Sequence, residues 1–362
     1  MKNYEKLISI VMIVVLAFQI SVVGFAAGDT ADLKYEFIDS EIKKYISISS
    51  PSTYSVSVSS EIPVYDITTG TYDREAVFAI VGGDVVAMML IAEENGEYVS
   101  TYYDGVAPSV NEAYKNGDDI VLALSGDELV LMNDDGDVFN IAGMSGTESL
   151  SISDIDANSY TPILVRDTLS IITPRIPNIV VQTSLNVPYV SNVSIGSEGL
   201  CWAACVASVT NYLRGTSLST IDVYNDCVSN FGQIPSGTST WYQRAFLIYN
   251  INTAVNGPMS YSNLYGQLMM NRPPIVNLAR NDGTSGHALV LSGMVVFYEN
   301  TTGEYYGTYS FMDPNYEYGN VYVNVGSDTL FYGSSFTYVP SSWDESGSII
   351  YSTWLSTITN FG

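Results

Sequence analysis

Gly286-His287-Ala288-Leu289-Val290-Leu291 holds the only histidine of this 362-residue chain. The stretch starts an apolar run after the glycine-rich segment Asn281-Asp282-Gly283-Thr284-Ser285-Gly286, so the imidazole is expected where a turn enters a strand. Imidazole is the side chain whose ordinary ionisation lies near neutral pH. Acid–base chemistry therefore defaults to His287, and the rest of the chain is read for a group it could serve. Alone, a histidine before an apolar run is more often a satisfied structural residue.

Working outward, strands are predicted at Ile275–Ala279, His287–Tyr298 and Tyr305–Met312. Upstream lies Cys201-Trp202-Ala203-Ala204-Cys205, which opens a helix predicted over 201–213. Val206, Val209 and Leu213 recur at helical spacing there, and Gly215 ends the pattern. A helix start presents unpaired N–H groups and a partial positive charge, and both favour a thiolate. A second helix is predicted from Tyr261 to Met270, stopped by Asn271-Arg272-Pro273-Pro274. Downstream of His287 comes Phe311-Met312-Asp313-Pro314-Asn315. A strand leaving His287, a turn and a return strand would bring Asp313 beside the ring, where a carboxylate accepts the second ring N–H and selects the tautomer.

These motifs together resemble a known family. Cys201-Trp202-Ala203 at a helix start, then Arg272-Pro273-Pro274-Ile275-Val276, then Gly286 to Gly293, then Met312-Asp313-Pro314, look like the papain-like cysteine peptidases of bacteria. Within that family they look like the staphopain type and the peptidases that process bacteriocin leaders. The resemblance covers residues 185–320, and the order and spacing of the motifs are more specific than either short motif. It implies an α+β, papain-like two-lobed catalytic domain, with an N-terminal helical half carrying Cys201, a C-terminal antiparallel β half carrying His287 and a cleft between. It also implies Cys201 as nucleophile, His287 as general base and acid, Asp313 as orienting residue, a peptide or protein substrate, and no metal or organic cofactor. One position departs from the family. Its oxyanion-hole glutamine, a short way before the nucleophile, is Ile195 here. Asn192 is the nearest amide upstream of Cys201 and so the candidate oxyanion-hole donor.

Three cysteines are an odd number, which leaves a free thiol or an intermolecular bridge. Cys205 and Cys227 are the candidate disulfide, with simple core packing equally open for Cys205. A structural zinc site built from Cys201, Cys205, Cys227 and His287 has suitable ligand types, but the spacing matches no compact knuckle. Thirteen Lys and Arg against 38 Asp and Glu leave a net charge of −25. With no basic cluster, nucleic acid is excluded as a partner and anionic lipid is disfavoured.

Lys2 and Lys6, the apolar run from Leu7 to Phe25 and the small residues of Gly24-Phe25-Ala26-Ala27 read as a signal peptide over 1–27. An uncleaved membrane anchor is the alternative. The mature chain is expected to be secreted and extracellular, without a further membrane segment and with association at the cell surface left open. Residues 28–178 are acidic. A helix over 33–46 is followed by short strands with turns at Gly82-Gly83-Asp84 and Asn133-Asp134-Asp135-Gly136, and a linker runs from about residue 147. Residues 179–362 form the expected catalytic domain. By position and size, residues 28–178 resemble an inhibitory propeptide acting in cis; the alternative is an accessory β domain that stays attached.

The expected protein is a secreted cysteine endopeptidase with a Cys-His-Asp triad, made as a zymogen. Two alternatives stand beside it. One is a weak or inactive papain-like fold acting as a secreted binding protein, and the other is a transglutaminase or deamidase using the same three residues.

Overall fold

The run from Ala288 to Phe297 is apolar at nearly every position because its strand is covered on both faces. In the computed structural model it belongs to the long strand Gly286–Glu299, buried without a break from His287 to Phe297. Side chains alternate across a strand. Ala288 and Val290 enter one apolar cluster with Trp202, Val206, Val209, Tyr242 and Phe246. Leu289 and Leu291 enter a second, with Tyr309, Phe311, Phe336, Tyr338 and Trp354.

The structure describes residues 30–49, 56–66, 71–94, 96–117, 119–125, 128–132, 138–143, 163–164, 168–172, 178–195, 198–232, 235–280, 286–299, 302–339 and 351–360. The expected signal peptide, the turn at Asn133–Gly136, most of the segment from 147 to 177 and the turn at 281–285 lie outside them. The described residues from 42 onward belong to one compact unit, and those before 42 to another. No helix among the described residues is long and apolar enough to cross a membrane.

Within the C-terminal part, four helices precede most of the strands. They are Cys201–Arg214, Thr220–Phe231, Ser239–Ile248 and Tyr261–Met269. The first and last match the sequence expectation to within a residue. The middle two were not expected, although one carries a readable start. The Ser219 side chain accepts from the Asp222 N–H while the Asp222 carboxylate accepts from the Ser219 N–H, a reciprocal cap. Gly215 ends the first helix in the left-handed region, at φ 63°, with its N–H returned to the Asn211 carbonyl.

The strands then pair antiparallel. Ile275–Arg280 lies between Gly286–Glu299 and Tyr351–Asn360, and Gly286–Glu299 continues to Glu304–Met312 and on to Val321–Val325. The strand Asn178–Ser184 pairs with the far end of Gly286–Glu299, Ser184 opposite Gly293. Mixed helices and a large sheet agree with an α+β reading.

The N-terminal β region is built on a meander of Thr71–Val81, Asp84–Glu94 and Glu97–Asp104. Its first hairpin turns at Gly82 and Gly83, with φ 62° and 90°, the two positive values that a tight two-residue turn demands. Glu97–Asp104 also pairs with Val321–Val325, placing Tyr103 opposite Val321 and Tyr102 opposite Tyr322. The same apolar cluster contains Phe78, Leu90 and Tyr103 together with Leu289, Phe311 and Tyr338. Residues on both sides of position 178 thus share one sheet and one core.

Candidate active site

Cys201 is the first residue of its helix, with Leu200 as the flanking residue and no side-chain cap. It is partly exposed, whereas Cys205 and Cys227 are fully buried. The apolar stripe of the helix anchors it against the sheet. There the Cys205 thiol donates to the Ala288 carbonyl at 3.3 Å, next in sequence to His287.

His287 stands at the start of its strand and is 5% exposed. Its Nε2 lies 2.8 Å from Asp313 Oδ1, and Cys201 also acts on the ring, favouring its charged form. Because Nε2 faces the carboxylate, Nδ1 is the nitrogen left for sulfur. The structure therefore brings together Cys201, His287 and Asp313, the last delivered by the return strand Glu304–Met312 that ends just before it.

The electrostatics follow from burial set against pairing. Burial alone would discharge the imidazole, but the Asp313 charge and hydrogen bond, with Cys201, reverse this and push its pKa up to about 10. Burial likewise opposes the Asp313 carboxylate. The His287 charge and the hydrogen bonds from His287, Tyr338 and the Asn315 N–H outweigh it and hold Asp313 below the usual carboxylate value.

Asp313 has more partners than the sequence reading provided. Oδ1 also accepts the Asn315 N–H at 2.9 Å, and Oδ2 accepts the Tyr338 hydroxyl. The Tyr338 ring stacks on His287 with centroids 5.9 Å apart, and Tyr351 tilts against it at 5.7 Å. Tyr338 is thus a fourth member that the sequence reading missed. It is one of 28 tyrosines, and no local motif marks it.

Asn192 has a bracing position. Its Nδ2 donates to Asn315 Oδ1 at 2.9 Å and its N–H to the Pro314 carbonyl at 2.8 Å. The Tyr189 hydroxyl donates to the same carbonyl at 3.0 Å. The amide expected at an oxyanion hole therefore clamps the Asp313-Pro314-Asn315 turn. Ile195, at the family's glutamine position, is 40% exposed in the short pair of strands Ser194–Ile195 and Glu198–Gly199.

The candidate bridge between Cys205 and Cys227 is corrected: all three cysteines are free thiols. Cys205 instead points at the Ala288 carbonyl, and burial pushes both thiols up, Cys227 to about 11. Among the described residues, no cluster of three or more His, Cys, Asp and Glu is placed to hold a metal.

Residues 181–318 match the family model described as the papain-like cysteine protease AvrRpt2. This stretch is similar to papain-like cysteine peptidases. The matched segment contains Cys201, His287 and Asp313, but ends before Tyr338. A crystal structure named as a C39-like peptidase from Bacillus anthracis aligns with 50% of this chain and 98% of its own, at 14% identity and a TM-score of 0.30. No curated protein matches the chain.

Proposed function

We propose that the chain is a secreted cysteine peptidase whose Cys201 thiolate attacks the scissile carbonyl, with His287 as acid and base and Asp313 as its orienting carboxylate. The observation that carries this reading is the 2.8 Å contact between His287 Nε2 and Asp313 Oδ1, made by a ring whose charged form Cys201 also favours.

The steps balance as follows. Sulfur forms a bond to the carbonyl carbon. As the C–N bond breaks, the imidazolium gives its proton to the leaving amine, producing a thioester. Neutral His287 then takes a proton from water, whose oxygen attacks the thioester. The acid product leaves as the thiolate and imidazolium are restored. Through both transfers the Asp313 carboxylate keeps the ring in the tautomer that aims Nδ1 at sulfur. The transient oxyanion needs donors. The first turn of the Cys201 helix supplies N–H groups that lack intrahelical acceptors, so the backbone N–H of Cys201 is assigned this role.

Secretion is supported by the basic start and apolar run of residues 1–27. The reading is tested with a broad peptide library and an epoxysuccinyl thiol inhibitor. Wild type should hydrolyse peptides and be labelled at Cys201. Cys201→Ala and His287→Ala should each abolish hydrolysis, and the double variant should lose no more than either single one, because the two act as a unit. Transfer of the acyl group to an added amine with no release of acid would redirect the reading to a transglutaminase. Absence of both hydrolysis and labelling in the wild type would reject the enzyme.

A further inference from the structure

We propose that the strand Glu97–Asp104 is a permanent part of the catalytic apparatus, with Thr101 and Tyr103 positioning Tyr338 and, through it, Asp313 and His287. This rests on the peptidase reading and extends it. The N-terminal β region stays with the working enzyme and is not discarded as a propeptide.

The carrying observation is a double grip on one residue. Val339 follows Tyr338, and both of its backbone polar groups are held by side chains of the strand. The Val339 N–H donates to Thr101 Oγ1 at 2.8 Å, and the Tyr103 hydroxyl donates to the Val339 carbonyl at 2.6 Å. The Tyr103 oxygen also lies 3.3 Å from that of Tyr338. Thr101 and Tyr103 sit two positions apart on one face of the strand, and both are 0% exposed. From Tyr338 one further hydrogen bond reaches Asp313 and the next reaches His287.

A second grip holds the other side of Asp313. The Tyr316 N–H donates to the Asp313 carbonyl at 3.0 Å, while the Tyr316 hydroxyl donates to the Gly105 carbonyl at 2.6 Å. The Tyr103 ring meets Tyr316 edge-on at 4.8 Å. The Asp104 N–H donates to the Asn320 carbonyl at 2.9 Å. Two glycines let the backbones approach this closely: a Cβ on Gly319 would fall on the Asp104 carbonyl, and one on Gly105 would fall on the Tyr318 carbonyl.

The direction of support matters. The contacts through Tyr338 reach the carboxylate oxygen that His287 does not use, and those through Tyr316 reach the Asp313 backbone carbonyl, so together they hold the triad from behind. Taking the strand away would leave the Val339 N–H and carbonyl buried without partners and would open the shared apolar cluster. A segment built to leave would not be the acceptor and donor for a residue adjoining the active-site tyrosine.

The sole histidine makes the test direct, since every imidazole N–H signal belongs to His287. The groups facing that ring are Cys201, Asp313, Tyr338 and Tyr351. In wild type the Nε2–H, bonded to Asp313, should appear as one slowly exchanging downfield resonance. Tyr103→Phe and Thr101→Val should speed its exchange by about tenfold or more and lower kcat with KM little changed. Thr101→Ser keeps an acceptor and should recover most of what Thr101→Val loses; melting curves verify that each variant is folded. In parallel, the epoxysuccinyl probe is applied to the full chain. The labelled species should contain residues 97–104, either in one chain or as a fragment that stays bound through gel filtration. A labelled, active species lacking the residues before 178 would overturn the proposal, as would wild-type exchange and kcat in Tyr103→Phe and Thr101→Val. If wild type neither hydrolyses peptides nor takes the probe, the peptidase reading falls, and the exchange comparison still decides whether the strand holds the His287–Asp313 pair.

Discussion

The hydroxyl of Tyr338 donates to Oδ2 of Asp313, while Oδ1 of the same carboxylate meets His287. One buried carboxylate thus has a titratable imidazole on one oxygen and a fixed hydroxyl donor on the other. Held at both oxygens, Asp313 cannot rotate freely, and the orientation of the imidazole inherits that restraint.

Tyr338→Phe removes the fixed donor and leaves the ring that stacks on His287. The Tyr338 hydrogen bond is one of the effects that lower the Asp313 pKa, so its loss raises that value. The acid limb of kcat/KM should move upward by about one pH unit, the scale of one hydrogen bond to a charged group. A pH–rate profile checks this; an acid limb that stays in place would detach Tyr338 from the catalytic pair.

The three thiols should differ sharply in reactivity. Cys205 and Cys227 are 0% exposed, and burial raises both of their pKa values. Brief treatment of the native, unreduced protein with iodoacetamide should give one adduct, on Cys201, by peptide mass mapping. In urea, without reductant, all three cysteines should be alkylated, since none is in a disulfide. A pair that resists alkylation until reduced would restore the bridge.

The buried pair gives stability a defined pH window. His287 is raised from 6.5 to about 10, so its contribution is fully present below 6.5 and is lost as pH rises through the folded value. Asp313 is lowered from 3.8, so its contribution is present above 3.8 and is lost as pH falls through its depressed value. The difference in Tm between wild type and Asp313→Asn should therefore be widest between 3.8 and 6.5 and should shrink towards about 10. A difference that is flat across this whole range would mean that the pair does not titrate as a unit.

Gly319→Ala places a methyl group against the Asp104 carbonyl, where backbone faces backbone and neither side chain can yield. The cost should be about 2 kcal/mol, the scale of overpacking a well-filled site. Urea denaturation should show a lower midpoint with an unchanged slope. An unaltered midpoint would show that the contact between Asp104 and Gly319 has slack.

The elements that carry the catalytic candidates were legible in sequence because their signals are local. The spacing of Val206, Val209 and Leu213, with Gly215 as a stop, marks a helix that the structure runs from Cys201 to Arg214. Alternation and apolar runs mark the strands before and after His287, and the Gly82-Gly83 pair marks its hairpin. The helices Thr220–Phe231 and Ser239–Ile248 were harder to read, since polar residues crowd their exposed faces and only the Ser219–Asp222 cap is a local cue.

By itself, the sequence determined the chemistry available: one imidazole, a cysteine at a helix start and an aspartate on a return strand, in an order that resembles papain-like peptidases. Tertiary structure alone decided which groups hold that chemistry in place. Asn192 lies near Cys201 in the chain, yet it clamps the Asp313 turn through Asn315, 123 positions away. Tyr103 supports Val339 from 236 positions away. The reason is physical: helix and strand periodicity act over a few residues, whereas a buried hydroxyl or amide must take whichever partner folding brings within about 3 Å.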